Sequence, residues 1–181
     1  PTLAFGSIGA IPAGQEAVHY EATCAPSCTQ QMTGDVNVFA SFLHMHDYGR
    51  QVWTTKKAAS DGSKGSFEVV DSRQFWNFGF QSIVPTSFTI SPGDQLNTHC
   101  IYDTSMVTND VYFGKATYDE MCINFLYYYP VQNSNIHSCG YFGGGNSLCA
   151  LSDVDAATAD PAQYWADSVL CDANPDKDGT T

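Results

Sequence analysis

The chain has 181 residues, 43% of them apolar and 13% aromatic, which is enough for one globular domain with a core. A net charge of −12, with only seven scattered lysines and arginines, excludes the clustered basic surface that nucleic-acid binding needs. No apolar run approaches the ~20 residues of a membrane-spanning helix.

In chain order, the opening PTLAFGSIGA lacks the basic start and apolar core of a secretory leader, so any leader is expected upstream. Turn signals then recur: IPAG at 11–14, DYG at 47–49, SDGSKG at 60–65, SPGD at 91–94 and GYFGGG at 140–145. Between them lie short runs rich in Val, Ile, Phe, Thr and Tyr, at 36–46, 67–70, 75–80, 87–90, 96–102 and 121–129. Short strands at that spacing predict an all-β sandwich or barrel. Both faces of 36–46 are largely apolar, as in a strand covered on each side. Residues 1–150 are expected to form the β domain and 151–181 a C-terminal extension. In that extension Asp160 can cap a helix, Pro161 suits its first position, and Trp165 and Val169 share a face. A loop draped on the sandwich is the equal alternative.

The tail NPDKDGTT carries Asn174, Asp176 and Asp178 before Gly179, the first half of a calcium-loop pattern. The later acidic ligand is absent, and a polar, disordered linker is the preferred reading of this tail. Seven cysteines (Cys24, Cys28, Cys100, Cys122, Cys139, Cys149 and Cys171) are many for a reducing compartment. Cys24 and Cys28 stand close together in CAPSC, but no second pair follows at zinc-ribbon spacing. A disulfide framework in a secreted or lumenal protein is the expectation, with one thiol left over.

The stretch FASFLHMHDYGR, residues 39 to 50, sets His44 and His46 either side of Met45. Side chains two apart on a strand point the same way, so the two imidazoles share a face and Met45 points away. Two imidazoles do not complete a metal site. Candidate third ligands are His19, His99, His137, a carboxylate or a methionine. A carboxylate would suit iron or zinc, and a thioether would suit copper, because soft sulfur stabilises Cu(I). Polar or core histidines without a metal are the alternative.

The segment TYDEMCINFLYYYP, residues 117 to 130, resembles the signature of the copper type II, ascorbate-dependent monooxygenases. IPAGQ at 11–15, CAPSCT at 24–29, FASFLHMHDYGRQV at 39–52 and SPGDQLNTHCIYDT at 91–104 resemble other motifs of that family's C-terminal catalytic domain, in order. The likeness runs over roughly residues 3 to 140 and favours the dopamine β-hydroxylase branch. It implies an antiparallel β-sandwich of jelly-roll type, and it assigns His44, His46 and Met121 to one copper that meets O2. It implies disulfides Cys24–Cys139 and Cys100–Cys122, and suggests Cys28–Cys171, with Cys28–Cys149 as the runner-up.

Phe42 shares the strand face of the two histidines and stands where the peptide-amidating branch has an arginine that grips a carboxylate. Phe125 stands where family members have a tyrosine. Peptide amidation is therefore disfavoured, and Phe42 and Phe125 imply an apolar or aromatic pocket wall for a small-molecule substrate; ordinary core packing is the alternative. The resemblance also implies a partner. A second copper domain with three histidines delivers the second electron, drawn from ascorbate, and is expected upstream or on another polypeptide. Two functions follow. One is the copper-binding half of a secreted monooxygenase. The other is a non-catalytic, disulfide-stapled module of an extracellular assembly.

Overall fold

Alternation of apolar and polar side chains builds the strands. In Val18–Cys24, Val18, Tyr20, Ala22 and Cys24 are buried while His19, Glu21 and Thr23 face outward. A computed structural model describes residues 2–7, 10–132 and 138–140. Their strands are β1 (Thr2–Ser7), β2 (Ala10–Ile11), β3 (Val18–Cys24), β4 (Val36–His44), β5 (Gly49–Lys57), β6 (Glu68–Arg73), β7 (Val84–Ile90), β8 (Gln95–Tyr102), β9 (Val111–Tyr112), β10 (Cys122–Tyr129) and β11 (Ser138–Gly140).

The first sheet runs β11-β1-β10-β4-β7 and the second β3-β8-β5-β6. The chain passes back and forth between the two sheets, except that β5–β6 and β10–β11 each stay within one sheet, and the protein is an all-β sandwich. Pairing is antiparallel except for β1 with β11, which is parallel. The short β2 and β9 form a separate ladder.

The core divides into two clusters, each built around a disulfide. Cys24 of β3 bonds Cys139 of β11, and Cys100 of β8 bonds Cys122 of β10. Each bond therefore links one sheet to the other. A third cross-sheet tie is polar. Buried Asn124 of β10 donates to Thr54 Oγ1 of β5 at 2.8 Å, and Thr54 in turn meets Thr98 Oγ1 of β8 at 3.2 Å. The SPGD turn forms as expected. Gly93 takes φ +91°, and buried Asp94 accepts the N–H groups of Ser91 and Ala59, both at 2.9 Å.

Two expectations are corrected. Residues 75–80 do not form a strand. They run into a single 3-10 turn, Phe78–Phe80, because Asn77 caps it by accepting the Gly79 N–H at 2.9 Å. Strand β4 is not covered on both sides by the described residues. Val36, Val38, Ser41 and Leu43 are buried inside, whereas Phe42 and His44 are half-buried and Phe39 is exposed.

Cys28, in the short helix Pro26–Thr29, is fully buried beside the Cys24–Cys139 bond and is joined to no described cysteine. The suggested partners Cys171 and Cys149, His137, the helix about Pro161 and the calcium-like tail all lie outside the described residues. No described helix is long and apolar enough to cross a membrane.

Candidate metal centre

His44 ends β4, and the alternation continues through His46. Met45, between them, is fully buried in the core with Leu43 and Val52. The two rings share the outer side, centroids 5.1 Å apart and nearly perpendicular at 81°. That is about the separation two imidazoles reach when both bind one ion through ~2 Å bonds. Each ring uses Nδ1 within the protein. His46 Nδ1 lies 2.9 Å from the Asp119 carbonyl, and His44 Nδ1 lies 2.5 Å from Gln81 Oε1. A carbonyl can only accept, so His46 carries a proton on Nδ1, and Nε2 is the ring nitrogen left to offer a lone pair to a metal. Neither Nε2 bonds to a described residue. Burial holds the His44 pKa below its ordinary value, with the nearby His46 ring pushing the same way and the Gln81 bond opposing. The neutral, ligating form is thus favoured.

Residue 121 is brought to the histidines by backbone register. His44 pairs with Ile123 across β4 and β10, and continuing that register sets residue 121 opposite residue 46. The buried carboxylate of Glu120 fixes the junction. Its Oε2 accepts the N–H groups of His46 at 2.9 Å and Met121 at 3.0 Å, and its Oε1 accepts that of Tyr48 at 2.8 Å. The buried Tyr102 hydroxyl donates to the Met121 carbonyl at 2.8 Å. Cys122, next in line, is held by its disulfide.

The sequence motifs do not by themselves single out Glu120 for these contacts. The signal they carry is an acidic residue directly before the methionine. Burial raises the Glu120 pKa against its three N–H contacts, which lower it.

A loop closes over the pair. Phe78 stands edge-on to His46 with centroids 5.7 Å apart, and Trp76 Nε1 donates to the His46 carbonyl at 3.1 Å. Trp76 and Met45 pack so closely on Gly49 that an added Cβ would meet them at 2.7–2.9 Å. Beside Gln81 a shallow cavity is lined by Arg73, Phe75, Trp76 and Phe80. Phe42 and Phe125 pair directly, stack with centroids 5.9 Å apart, and flank His44 at 5.5 and 6.2 Å. His19 and His99 lie elsewhere, on the outer face of the second sheet. They bond one another at 3.1 Å and stack with Trp53.

The sequence of residues 2–148 matches the family model described as copper type II ascorbate-dependent monooxygenase, C-terminal domain. The chain belongs to this family. It is 30% identical over 135 residues to tyramine beta-hydroxylase of Caenorhabditis briggsae, covering 74% of this chain and 23% of that protein. It is 33% identical over 132 residues to dopamine beta-hydroxylase of Bos taurus (71% and 21%) and 32% identical over 132 residues to that of Homo sapiens (71% and 21%). The chain therefore spans about a fifth to a quarter of the curated relatives it matches.

A copper family makes specific demands on the donor set, and the residues present fit them. Two imidazoles whose Nε2 atoms no described residue engages, with a thioether-bearing residue tied to the same backbone junction, suit a copper that cycles through Cu(I). The two disulfides fit an oxidising compartment.

Proposed function

We propose that this domain is the copper-binding half of a secreted, O2- and ascorbate-dependent monooxygenase, with His44, His46 and Met121 holding the metal. The observation that supports it best is the Glu120 carboxylate, which ties the backbones of His46 and Met121 to one oxygen. A buried charge spent on joining these two backbones makes sense where their side chains must meet. Bound copper supplies the redox chemistry by which one atom of O2 enters a substrate C–H bond and the other leaves as water, with two electrons and two protons from ascorbate.

The protein's own residues do the positioning. Nδ1 contacts orient both rings, Glu120 sets the approach of residue 121, and Phe78 and Trp76 shield the His46 side from water. Phe42 and Phe125 offer an apolar wall to a small, apolar or aromatic substrate and cannot pair with a carboxylate. The second electron requires a partner domain, on the same polypeptide or another.

Metal analysis of the purified domain tests the reading. The wild type should hold close to one copper per chain after loading with Cu(I), and His44→Ala should lose it. Equal copper contents in the two proteins would favour the other function, a disulfide-stapled module that keeps the family fold without the chemistry.

A further inference from the structure

We propose that Gln81 is a positioning residue that sets the tautomer of His44, so that Nε2 rather than Nδ1 is offered to a metal; this rests on the copper reading above. The hydrogen-bond sequence starts at the Phe78 carbonyl, which can only accept. It takes a proton from Gln81 Nε2 at 3.1 Å. That contact decides which end of the amide is nitrogen and turns Oε1 toward His44. Oε1 also only accepts, and it lies 2.5 Å from His44 Nδ1. His44 must therefore donate through Nδ1, which leaves its Nε2 lone pair free.

The amide is itself held. The Phe78–Phe80 turn fixes the carbonyl it binds, and Asn77 pins the turn through the Gly79 N–H. The same turn places the Phe78 ring against His46, so one loop of five residues touches both imidazoles. The two rings are nonetheless oriented by different means. His46 depends on the Asp119 main-chain carbonyl, which no substitution removes. His44 depends on a side chain that can be replaced. Without that acceptor, nothing among the described residues opposes the Nε2–H tautomer, in which the nitrogen meant for the metal carries a proton.

The test is made first on metal-free, 15N-labelled protein at about pH 7.5, by long-range 1H–15N correlation. Wild type should show both His44 and His46 protonated on Nδ1. Gln81→Leu and Gln81→Ala should move His44 to the Nε2–H form and leave His46 unchanged. Gln81→Glu keeps an acceptor in place and should keep the wild-type tautomer. Competition titration with Cu(I) should then find Gln81→Leu weaker by about 10–100-fold and Gln81→Glu within about threefold of wild type.

An Nε2–H tautomer at His44 in the wild type, or an unmoved tautomer in both apolar variants, overturns the proposal. So does unchanged Cu(I) affinity in a variant whose tautomer has moved. A wild-type protein that takes up no copper overturns the copper reading, while the metal-free spectra still decide what Gln81 does.

Discussion

Glu120 binds the main chain on both sides of the candidate metal centre. Three main-chain N–H groups converge on one buried carboxylate, and each such charge-assisted bond is worth roughly 1.5–3 kcal/mol. Glu120→Gln keeps one acceptor but sets an NH2 group against a backbone N–H. It should lower stability by about 2–3 kcal/mol in urea unfolding of the metal-free protein and weaken copper binding as well. Stability within about 0.5 kcal/mol of wild type would show that the carboxylate is dispensable. The shared face of the histidine pair is legible in the sequence because a strand has period two, which puts Met45 in the core and turns both imidazoles to the opposite side. The roles of Glu120 and Gln81 are not, because they come from contacts with main-chain groups and a loop distant in sequence, and such contacts leave no periodic trace.

Among the described residues, two disulfides join the sheets of the sandwich. Cys100–Cys122 closes a separation of 22 residues, which in the chain-entropy picture is worth about 3 kcal/mol. It also clamps the residue after Met121. The double variant Cys100→Ala/Cys122→Ala should unfold about 3 kcal/mol more easily. It should also bind Cu(I) more weakly, because β10 then approaches β4 with more freedom. Unfolding and titration of one preparation check both, and loss of stability without loss of affinity would separate the staple from the site.

Strands β4, β8 and β10 were readable from their apolar runs. Strand β5, GRQVWTTKK, carries no such run, because its inward positions include Thr54 and its outward ones carry Trp53 and Lys57, which blurs the alternation. The run 75–80 misled in the opposite sense. Its aromatic residues read as a buried strand, yet Phe75 and Phe80 are exposed and Phe78 faces a histidine. An apolar run states a need for contact and does not say with what.

For the molecule as a whole, the outer face of the second sheet makes folding depend on pH. His99 packs against both His19 and Trp53, and burial, with the nearby His19, lowers its pKa from 6.5 to about 4. Burial lowers His19 in the same direction. Between those two values the unfolded chain binds a proton that the folded chain refuses. Stability therefore falls as pH drops from about 6.5 toward 4, by at most about 3 kcal/mol from His99. Glu21, which faces His99, has a raised pKa from burial and works against this trend near the acid end. Urea midpoints at pH 7.5 and 5 should differ clearly in wild type and much less in His99→Gln. Equal midpoints in wild type would contradict the packing of the stack.

The proposed copper site requires the residue-121 sulfur to join the two imidazoles on one metal. X-ray absorption of the Cu(I)-loaded domain measures this directly. It should show two nitrogen scatterers and one sulfur scatterer in the wild type, with the sulfur absent in Met121→Leu. A wild-type spectrum without sulfur, or one that Met121→Leu leaves unchanged, would contradict the assignment.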